Sequence, residues 1–401
     1  MSHHGYHSLA DLPKPGHFHL PKTAKHIFIA CVAIGVVSFA GALFQDATRA
    51  WYNYLIGYFY WMSIALFGAF ITAIHHATGS QWSTPVRRLA EGMSSFLPVA
   101  AVLLLGLFLG LHHLYEWTHV EEVAKDVLLS GKSAYLNTPF FIIRSLVGMA
   151  IWAGFAHYFT TKSLEQDQSG AISITKGLIK ASVIFLPLFA LSFTMASFDD
   201  IMSVEPHFFS TIFGVYQFSS LFYSGVTTLT IIVILMQKQG LLKGLVTEHH
   251  MHDLGKWMFA FTVFWAYIAF SQYMLIWYAN LPEETFYFIK RQENGWQYWA
   301  LSLAILKFIV PFFLLIGKWA KVIPNYLLSV GVLMLVANWI DLYWQVAPAY
   351  SEFARLGWQE LGIFVGFLGL FGLTVSRFYS RHPLVPMKDP YLLDGVNHNQ
   401  F

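Results

Sequence analysis

Charge is scarce in this sequence of 401 residues, because Asp, Glu, Lys and Arg make up only 11% of it. Soluble domains carry about 25%. Hydrophobic residues account for 56% of the chain and aromatic residues for 18%. Such a composition excludes an ordinary soluble globular protein and predicts an all-α polytopic membrane protein.

Cysteine is almost absent, and the lone Cys31 lies in the first apolar stretch. It has no partner for a disulfide or a thiolate cluster, so we expect an inert core residue. Signatures of phosphate-binding loops, zinc hydrolases and serine hydrolases are missing, as is an apolar leader before a cleavage site. Histidines fall near span ends, which argues against a haem between helices. We therefore expect no metal, no covalently bound cofactor, no catalytic residue and no nucleic-acid partner.

Apolar stretches long enough to cross a bilayer, about 20 residues each, occur ten times. The predicted spans are 27–44, 52–74, 94–113, 138–161, 178–196, 207–236, 256–280, 295–316, 324–347 and 358–380. Residues 1–26 and 381–401 are predicted to be polar tails, the first of them flexible. An even number of spans places both tails on one side of the membrane.

Lysine and arginine concentrate in the two tails and in the loops on their side. The positive-inside rule therefore predicts that both termini are cytoplasmic. Acidic residues accumulate in the opposite loops. The negative field of these loops would attract protons or a basic partner domain. The alternative is that acids simply accumulate wherever bases are excluded.

The stretch "FDDIMSVEPHFFSTIFG" (198–214) places Asp199, Asp200, Glu205 and His207 close together without a Lys or Arg. It joins predicted spans five and six on the outer side. We hypothesise that these side chains gather and exchange protons at the mouth of a proton path, with burial and like-charge crowding shifting at least one carboxyl pKa toward working pH.

Three ionisable residues lie within predicted spans, where a charge costs at least about 2.5–3.5 kcal/mol. Lys307 either has a buried partner or extends to the cytoplasmic interface. Asp341 must pair, bind a proton or contact water, and Asn338 lies one turn away. Arg144 lies near the outer end of span four, where an ion pair with an outer carboxylate is expected.

His112, His113 and Glu116 end predicted span three on the outer side. Helical spacing of three or four residues brings either histidine beside the acid. A His–carboxylate pair at a membrane edge suits proton exchange with a quinol, so these residues, with Arg144, are a candidate quinone or proton-exchange edge. Interfacial histidines solvated by headgroups are the alternative.

Span six has a polar stripe, formed by Ser210, Gln217, Ser220, Ser224 and Thr227, with Tyr223 beside it. This spacing fits close helix packing or the lining of a hydrated proton path. Gln272 and Tyr273 add polar groups to span seven. Asp253 and Lys256, three residues apart at its cytoplasmic end, form either a surface pair or the inner end of the path.

Two segments, "SFDDIMSVEPHFFSTIFGVYQFSS" and "HDLGKWMFAFTVFWAYIAFSQYMLIWYANLPEET", resemble the NrfD/PsrC-like (polysulfide reductase membrane subunit) superfamily, as does "NWIDLYW" in span nine. The similarity is greatest to the second such subunit of bacterial alternative complex III, a quinol:cytochrome c oxidoreductase. It extends over all ten spans. One departure is Asp200, where the family pattern has Trp after the first Asp, and another is Phe208 at a position often held by Trp. These departures place in doubt any role that needs an indole there.

The resemblance implies two four-helix bundles, spans two to five (52–196) and six to nine (207–347), with peripheral spans one and ten. It implies a bacterial inner membrane location and a sister NrfD-like subunit that oxidises quinol. Further implied partners are a periplasmic iron–sulfur subunit, multihaem and monohaem cytochromes c, small membrane subunits, lipids and a cytochrome oxidase. Haems and iron–sulfur clusters would reside in the partners, and menaquinone or ubiquinone is the implied redox lipid.

Four functions are weighed: scaffold with proton conduit, quinone-binding subunit, purely structural anchor and stand-alone transporter. A quinone site would need an apolar cleft beside His112, His113 and Glu116. An anchor would have every polar group paired, and a transporter would need broken helices at mid-membrane. The conduit would use the 198–214 acids, the stripe of span six, Lys307 and Asp341.

Overall fold

The computed structural model describes residues 6–399, so residues 1–5 and 400–401 of the two predicted tails lie outside the described residues. Within the described range the chain is helical, and no strand occurs. Ten helices are long and apolar enough to cross a membrane, which confirms the predicted all-α polytopic fold. Spans one to ten are Lys22–Gln45, Ala47–Ala77, Thr84–Leu114, Thr138–Ser169, Ile172–Val204, Phe213–Lys238, Glu248–Ala279, Trp296–Leu315, Pro324–Ala349 and Trp358–Arg381.

Local sequence signals set several span ends. Asp46 begins span two by accepting a hydrogen bond from the backbone of Arg49 at 3.0 Å. Asn137 begins span four in the same way, and that span ends at Gly170 in the left-handed conformation. Span seven ends at Asn280 with φ of 50°, and Pro282 follows. These are the residue types that start and stop helices elsewhere.

Spans two to five form one ring of neighbouring helices, and spans six to nine form a second. Span two lies against spans five, six, nine and ten, and its most apolar stretch is completely buried. Span six packs on span two across the boundary between the rings. The core of the molecule is therefore the interface between these two rings, which are the two helix bundles.

Spans one and ten pack on each other through small residues. Gly35 and Gly366 approach so closely that a Cβ added to Gly35 would lie 2.3 Å from the Cα of Gly366. Ser38 meets Gly362 in the same way one turn along. Close approach of small residues is a common basis of helix association in membranes. Span ten in turn packs on span two.

Both tails cover the face of the molecule on which they lie, here named the terminal face; the opposite face is the outer face. Leu12 and Phe18 are buried, and the Gly16 amide donates to the carbonyl of Leu241 at 3.2 Å. Tyr6 and Asn397 exchange two hydrogen bonds of 2.8 Å. The described part of the N-terminal tail therefore contacts the terminal face at Tyr6, Leu12, Gly16 and Phe18, whereas most of the other residues of this segment are exposed.

Several span boundaries differ from the prediction by six residues or more, among them the starts of spans three and six. Span three begins at Thr84 rather than 94, and its first turns bury Arg87 and Arg88. Span six begins at Phe213 rather than 207, because residues 207–212 form turns outside the helix. Spans five and eight each contain a π-helical turn, at Ser197–Ile201 and Ala304–Ile309. Such turns are rare and occur frequently at functional sites.

Candidate functional site

A fully buried ion pair lies between spans eight and nine of the second bundle. Lys307 and Asp341, which are 0% and 1% exposed, lie 2.6 Å apart between Nζ and Oδ2. The same Nζ donates to Asn338 Oδ1 at 2.7 Å and to Ser220 Oγ at 3.0 Å. Tyr216 donates its hydroxyl to the other oxygen of Asp341 at 2.5 Å. Lys307 is thus buried and partnered and does not reach an interface.

The local backbone of span eight favours this placement of Lys307. Pro311 has no N–H to donate to the carbonyl of Lys307 four residues earlier. The hydroxyl of Tyr223 donates to that carbonyl at 3.3 Å. The ammonium group also lies 4.5 Å from the ring centroid of Trp265, a stabilising cation–π distance. The π-helical turn therefore presents both the side chain and the carbonyl of Lys307 to span six.

A second pair of polar side chains continues this network toward the outer face. Gln217 donates to Oε1 of Gln345 at 2.5 Å. Both residues border a small void that is also lined by Ser63, Ser220 and Asp341. Its volume is about 10 Å³, close to the roughly 10–15 Å³ that one water molecule requires. The void connects the glutamine pair to the Lys307–Asp341 pair.

Glu205 and Arg291 complete the connection to the outer face. Arg291 donates to Glu205 at 2.7 Å and to the carbonyl of Gln345 at 2.6 Å. Lys290 forms a second ion pair with Glu205 at 3.0 Å. Burial opposes ionisation of Glu205, but attraction by Arg291 and Lys290 outweighs it and lowers the pKa of the carboxyl. Glu205 therefore stays ionised as the outermost member of the chain of contacts.

Asp199 and Asp200, adjacent in sequence, have different environments in the π-helical turn of span five. Arg144 holds Asp199 with two hydrogen bonds of 2.7 and 3.0 Å, which is the ion pair expected for Arg144. Asp200 is 4% exposed, and its Oδ1 has no hydrogen-bond partner among the described residues. The guanidinium of Arg144 also stacks 3.9 Å from the ring centroid of Tyr135.

His207 lies in the outer loop and contacts Asp126, with Nε2 and Oδ2 2.6 Å apart. Backbone hydrogen bonding by Leu129 lowers the pKa of Asp126, and the contact with His207 adds to this effect. Both residues are partly exposed to solvent. His207 is therefore available for proton exchange at the surface, although it makes no direct contact with the buried Lys307–Asp341 pair.

The predicted pairing of His112 or His113 with Glu116 is wrong. The helix ends at Leu114, and Tyr115 adopts an extended conformation with φ of −125° and ψ of 114°. Helical spacing therefore does not apply across it. His112 instead stacks on His119 with ring centroids 3.8 Å apart. The side chains of His112, His113 and Glu116 are exposed, and Arg144 belongs to the Asp199 pair rather than to this edge.

The stripe of span six is largely bonded to its own helix. Ser224 donates to the carbonyl of Ser220 at 2.8 Å, and Thr227 donates to that of Tyr223 at 2.6 Å. Such back-bonding is usual for hydroxyls in helix interiors. Ser220 also joins the Lys307–Asp341 network, whereas Ser210 precedes the helix. The stripe is therefore chiefly a packing surface.

Four further predicted residues lie apart from the network. Gln272 is buried and Tyr273 exposed, and both line a large apolar cavity at spans seven and eight. Asp253 lies at the terminal face, where it pairs with Lys256 at 2.7 Å and with His398 at 2.8 Å. The Asp253–Lys256 pair is thus present, with Asp253 buried and Lys256 exposed, and Asp253 also contacts the C-terminal tail through His398.

Sequence reasoning missed a buried charge cluster at the terminal face of the first bundle. Arg88 contacts Glu91 and Asp167, each at 2.9 Å, and Arg87 pairs with Asp389 of the C-terminal tail. Arg87 is 2% and Arg88 0% exposed. The spacing of Glu91 three and four residues after the arginines was the available signal. It was overlooked because this segment was assigned to a loop.

The fold and the buried ion pairs define a multi-pass α-helical membrane protein. No protein-family model matches the chain, and no curated protein matches it either.

Proposed function

We propose that this chain is an integral membrane subunit of a respiratory quinol:cytochrome c oxidoreductase of the bacterial inner membrane. In this role it is a scaffold and proton conduit beside a quinol-oxidising sister subunit. The observation on which the proposal depends is the buried Lys307–Asp341 pair and its polar connection to the outer face. The family resemblance supplies the respiratory context.

The conduit consists of successive side chains in contact. Glu205 contacts Arg291 at 2.7 Å, and Arg291 contacts the backbone of Gln345 at 2.6 Å. The Gln345 side chain contacts Gln217, and the small void leads on to Asp341. Arg291 keeps its charge, so it positions the path, while water in the void and Asp341 transfer the proton.

The carboxylate of Asp341 suits proton exchange because three groups bind to it. Lys307 stabilises its ionised form, and the hydroxyls of Tyr216 and Ser220 donate to its two oxygens. In a low-dielectric interior the two charges attract strongly, yet their joint desolvation is costly. A proton arriving from the outer side neutralises the carboxylate, and Lys307 is then the charge that lacks a counter-ion. The pair therefore couples protonation to a change of local charge.

The inner half of the conduit lacks a continuous set of side-chain contacts. Ser224 and Thr227 donate to carbonyls one turn earlier, and the acid of span seven on this side, Asp253, lies at the terminal face, where it pairs with Lys256. We propose that protons cross this half through transient water or a rotation of these hydroxyls. The side-chain contacts of the conduit therefore end at the Lys307–Asp341 pair, and the inner half depends on this water or rotation.

The proposed complex contains the sister subunit, an iron–sulfur subunit, cytochromes c and small membrane subunits. Haems and iron–sulfur clusters reside in those chains, and a cytochrome oxidase accepts their electrons. Within the described residues, no group of three His, Cys, Asp or Glu side chains is arranged to hold a metal ion. That the partners supply the redox centres is what the family resemblance implies.

The test is the number of protons moved per electron by the intact complex in vesicles during quinol oxidation. Asp341→Asn and Lys307→Gln are expected to lower this ratio while the complex still assembles. Thr230→Ala is the matched control, because the Thr230 hydroxyl donates to the carbonyl of Val226 on its own helix and lies outside the proposed path, and it should leave the ratio unchanged. An unaltered ratio in both network variants would refute the conduit and leave the structural anchor as the role of the chain.

A further inference from the structure

Two adjoining cavities lie along the membrane-facing side of the first bundle, between spans four and five. The outer cavity has a volume of about 360 Å³ and is bordered by Arg144. The inner cavity has a volume of about 550 Å³ and extends to Tyr158 of span four. Val147 and Ile151 line both cavities. The two cavities therefore form one groove, here named the four–five groove, which follows span four from Arg144 to Tyr158.

The four–five groove has the length and the walls that an acyl chain requires. From Arg144 to Tyr158 the helix rises about 21 Å at 1.5 Å per residue, which exceeds the roughly 15 Å that one leaflet contributes to a hydrocarbon core of about 30 Å. Val147 and Ile184 line the inner part and are 53% and 56% exposed. A Cβ added to Gly154 would meet nothing within 4 Å. The inner part of the groove is therefore open to a hydrocarbon tail from the bilayer.

The outer end of the groove contains one cation and two carboxylates. Arg144 donates to Asp199 at 2.7 and 3.0 Å and to the carbonyl of Tyr135 at 3.0 Å. Asp200 lines the same end and is 4% exposed, and its Oδ1 has no hydrogen-bond partner among the described residues. An ionised Asp200 therefore has no counter-charge of its own, which is costly for a buried group. A cation in the groove would be attracted by the whole carboxylate group across the low-dielectric interior.

The polar groups at this end favour a cationic headgroup over an anionic one. Arg144 is the one cation that the described residues contribute to the lining, and Asp199 already neutralises it. The hydroxyls of Ser145 and Ser192 donate to carbonyls of their own helices at 2.9 and 2.7 Å. An anionic headgroup would thus find neither an uncommitted cation nor an uncommitted hydroxyl donor in the described lining. An ammonium group would supply the counter-charge that Asp200 lacks.

The position of Asp200 along span five matches the depth of a lipid headgroup. Span five ends on the outer side at Val204, which lies about 6 Å beyond Asp200 at 1.5 Å per residue. The headgroup regions add about 10–15 Å in total to the thickness of a bilayer, so each of them is about as thick as this distance. A headgroup beside Asp200 and an acyl chain in the inner part can therefore occupy the groove together.

We propose that the four–five groove binds one phospholipid of the phosphatidylethanolamine class. Its primary ammonium group pairs with Asp200, and one of its acyl chains lies between spans four and five. The site is in the first bundle and includes none of the side chains that connect Glu205 to Asp341. The inference therefore stands or falls separately from the proposed conduit.

The experiment measures the dissociation constant of the first bound lipid by native mass spectrometry of the purified protein in detergent. Dioleoyl phosphatidylethanolamine should bind at least tenfold more tightly than dioleoyl phosphatidylglycerol, which has the same chains but no ammonium group. Asp200→Asn should abolish this difference, because it removes the charge at nearly unchanged volume. Glu122→Gln removes an outer acid whose side chain is 56% exposed, and this control should keep the difference.

A second pair of variants tests the position of the acyl chain. Gly154→Phe places a ring in the open inner part of the groove and should weaken binding of dioleoyl phosphatidylethanolamine at least tenfold. The control is Ala266→Phe, which adds the same ring to a separate cavity of about 710 Å³ at spans seven and eight. That variant should bind this lipid like the unmodified protein.

Three results would overturn the proposal: equal affinities of the unmodified protein for the two lipids, a preference that survives Asp200→Asn, or unaltered binding by Gly154→Phe. Elution as a single species with unchanged helix content checks that each variant is folded. If Asp200→Asn fails this check, N-acetylated dioleoyl phosphatidylethanolamine tests the same charge on the unmodified protein. It should bind as weakly as phosphatidylglycerol, and binding as tight as that of the parent lipid would also overturn the proposal.

Discussion

Glu205 at the outer face both stabilises the fold and connects the surface to the buried network through Arg291. Its carboxylate is shared by Lys290 and Arg291, and Arg291 holds the backbone of span nine at Trp344 and Gln345. Removing one partner of a buried charged pair is strongly destabilising, because the other charge is left without compensation. The outer ends of spans five and nine are therefore tied together by one acid.

The lowered pKa of Glu205 determines how this contribution depends on pH. A carboxyl whose pKa is lower in the folded state stabilises the fold fully above its unfolded pKa, and the contribution disappears as pH falls through the folded pKa. Glu205→Gln should therefore lower the thermal unfolding midpoint at neutral pH. The difference from the unmodified protein should shrink below about pH 4, the region of the unfolded pKa of Glu. A difference that is independent of pH would contradict the ionised pair.

Residue-level chemistry was only partly readable from the sequence. The depth of Lys307 and Asp341 in apolar spans predicts that each of them needs a partner. It does not predict that they pair with each other, because this pairing depends on the adjacency of spans six, eight and nine. The role of Arg291 was hidden for the same reason, since its contacts at Trp344 and Gln345 are about 50 residues away in the chain.

At the scale of helices, the contact between spans one and ten depends on glycine at defined positions. A Cβ on Gly35 would lie 2.3 Å from the backbone of Gly366, whereas one on Gly154 of span four would meet nothing within 4 Å. Gly35→Ala should therefore destabilise the protein by about 1–3 kcal/mol, the usual cost of overpacking. Gly154→Ala, the matched control, should be neutral or gain up to about 1 kcal/mol from helix propensity.

Thermal unfolding of both glycine variants in one detergent provides the comparison. Equal midpoints for Gly35→Ala and Gly154→Ala would show that spans one and ten do not pack as tightly as described. The ten spans themselves were predictable, because each contains an apolar window of membrane length. The early start of span three was not, because Arg87 and Arg88 suggest a solvated loop until their buried acids are known.

At the scale of the molecule, the C-terminal tail connects the two bundles across the terminal face. Asp389 pairs with Arg87 of span three, the carbonyl of Gly395 contacts His250 of span seven, and His398 contacts Asp253. Asn397 also holds Tyr6 of the N-terminal tail. The described part of the tail therefore covers the terminal face across both bundles.

Removing the charge of Asp389 tests this arrangement. Asp389→Ala leaves the buried Arg87 with Glu91 at 3.8 Å as its remaining acid, and loss of one member of a buried pair costs about 3–5 kcal/mol. Asp394→Ala, at an exposed position of the same tail, is the control. The first variant should unfold at lower temperature and release the tail to protease, and the second should not. Equal protease resistance would indicate that the tail is held without the Arg87 pair.

The contact of Gly35 with Gly366 also has a consequence for how the protein is made. Span one meets its main partner, span ten, only after the eight spans between them have been synthesised. Until then its glycine-lined face is covered by lipid alone or by a membrane chaperone. The packing of span ten against span one therefore completes assembly in the membrane. Ribosome stalling before span ten would leave the bundle open along one side.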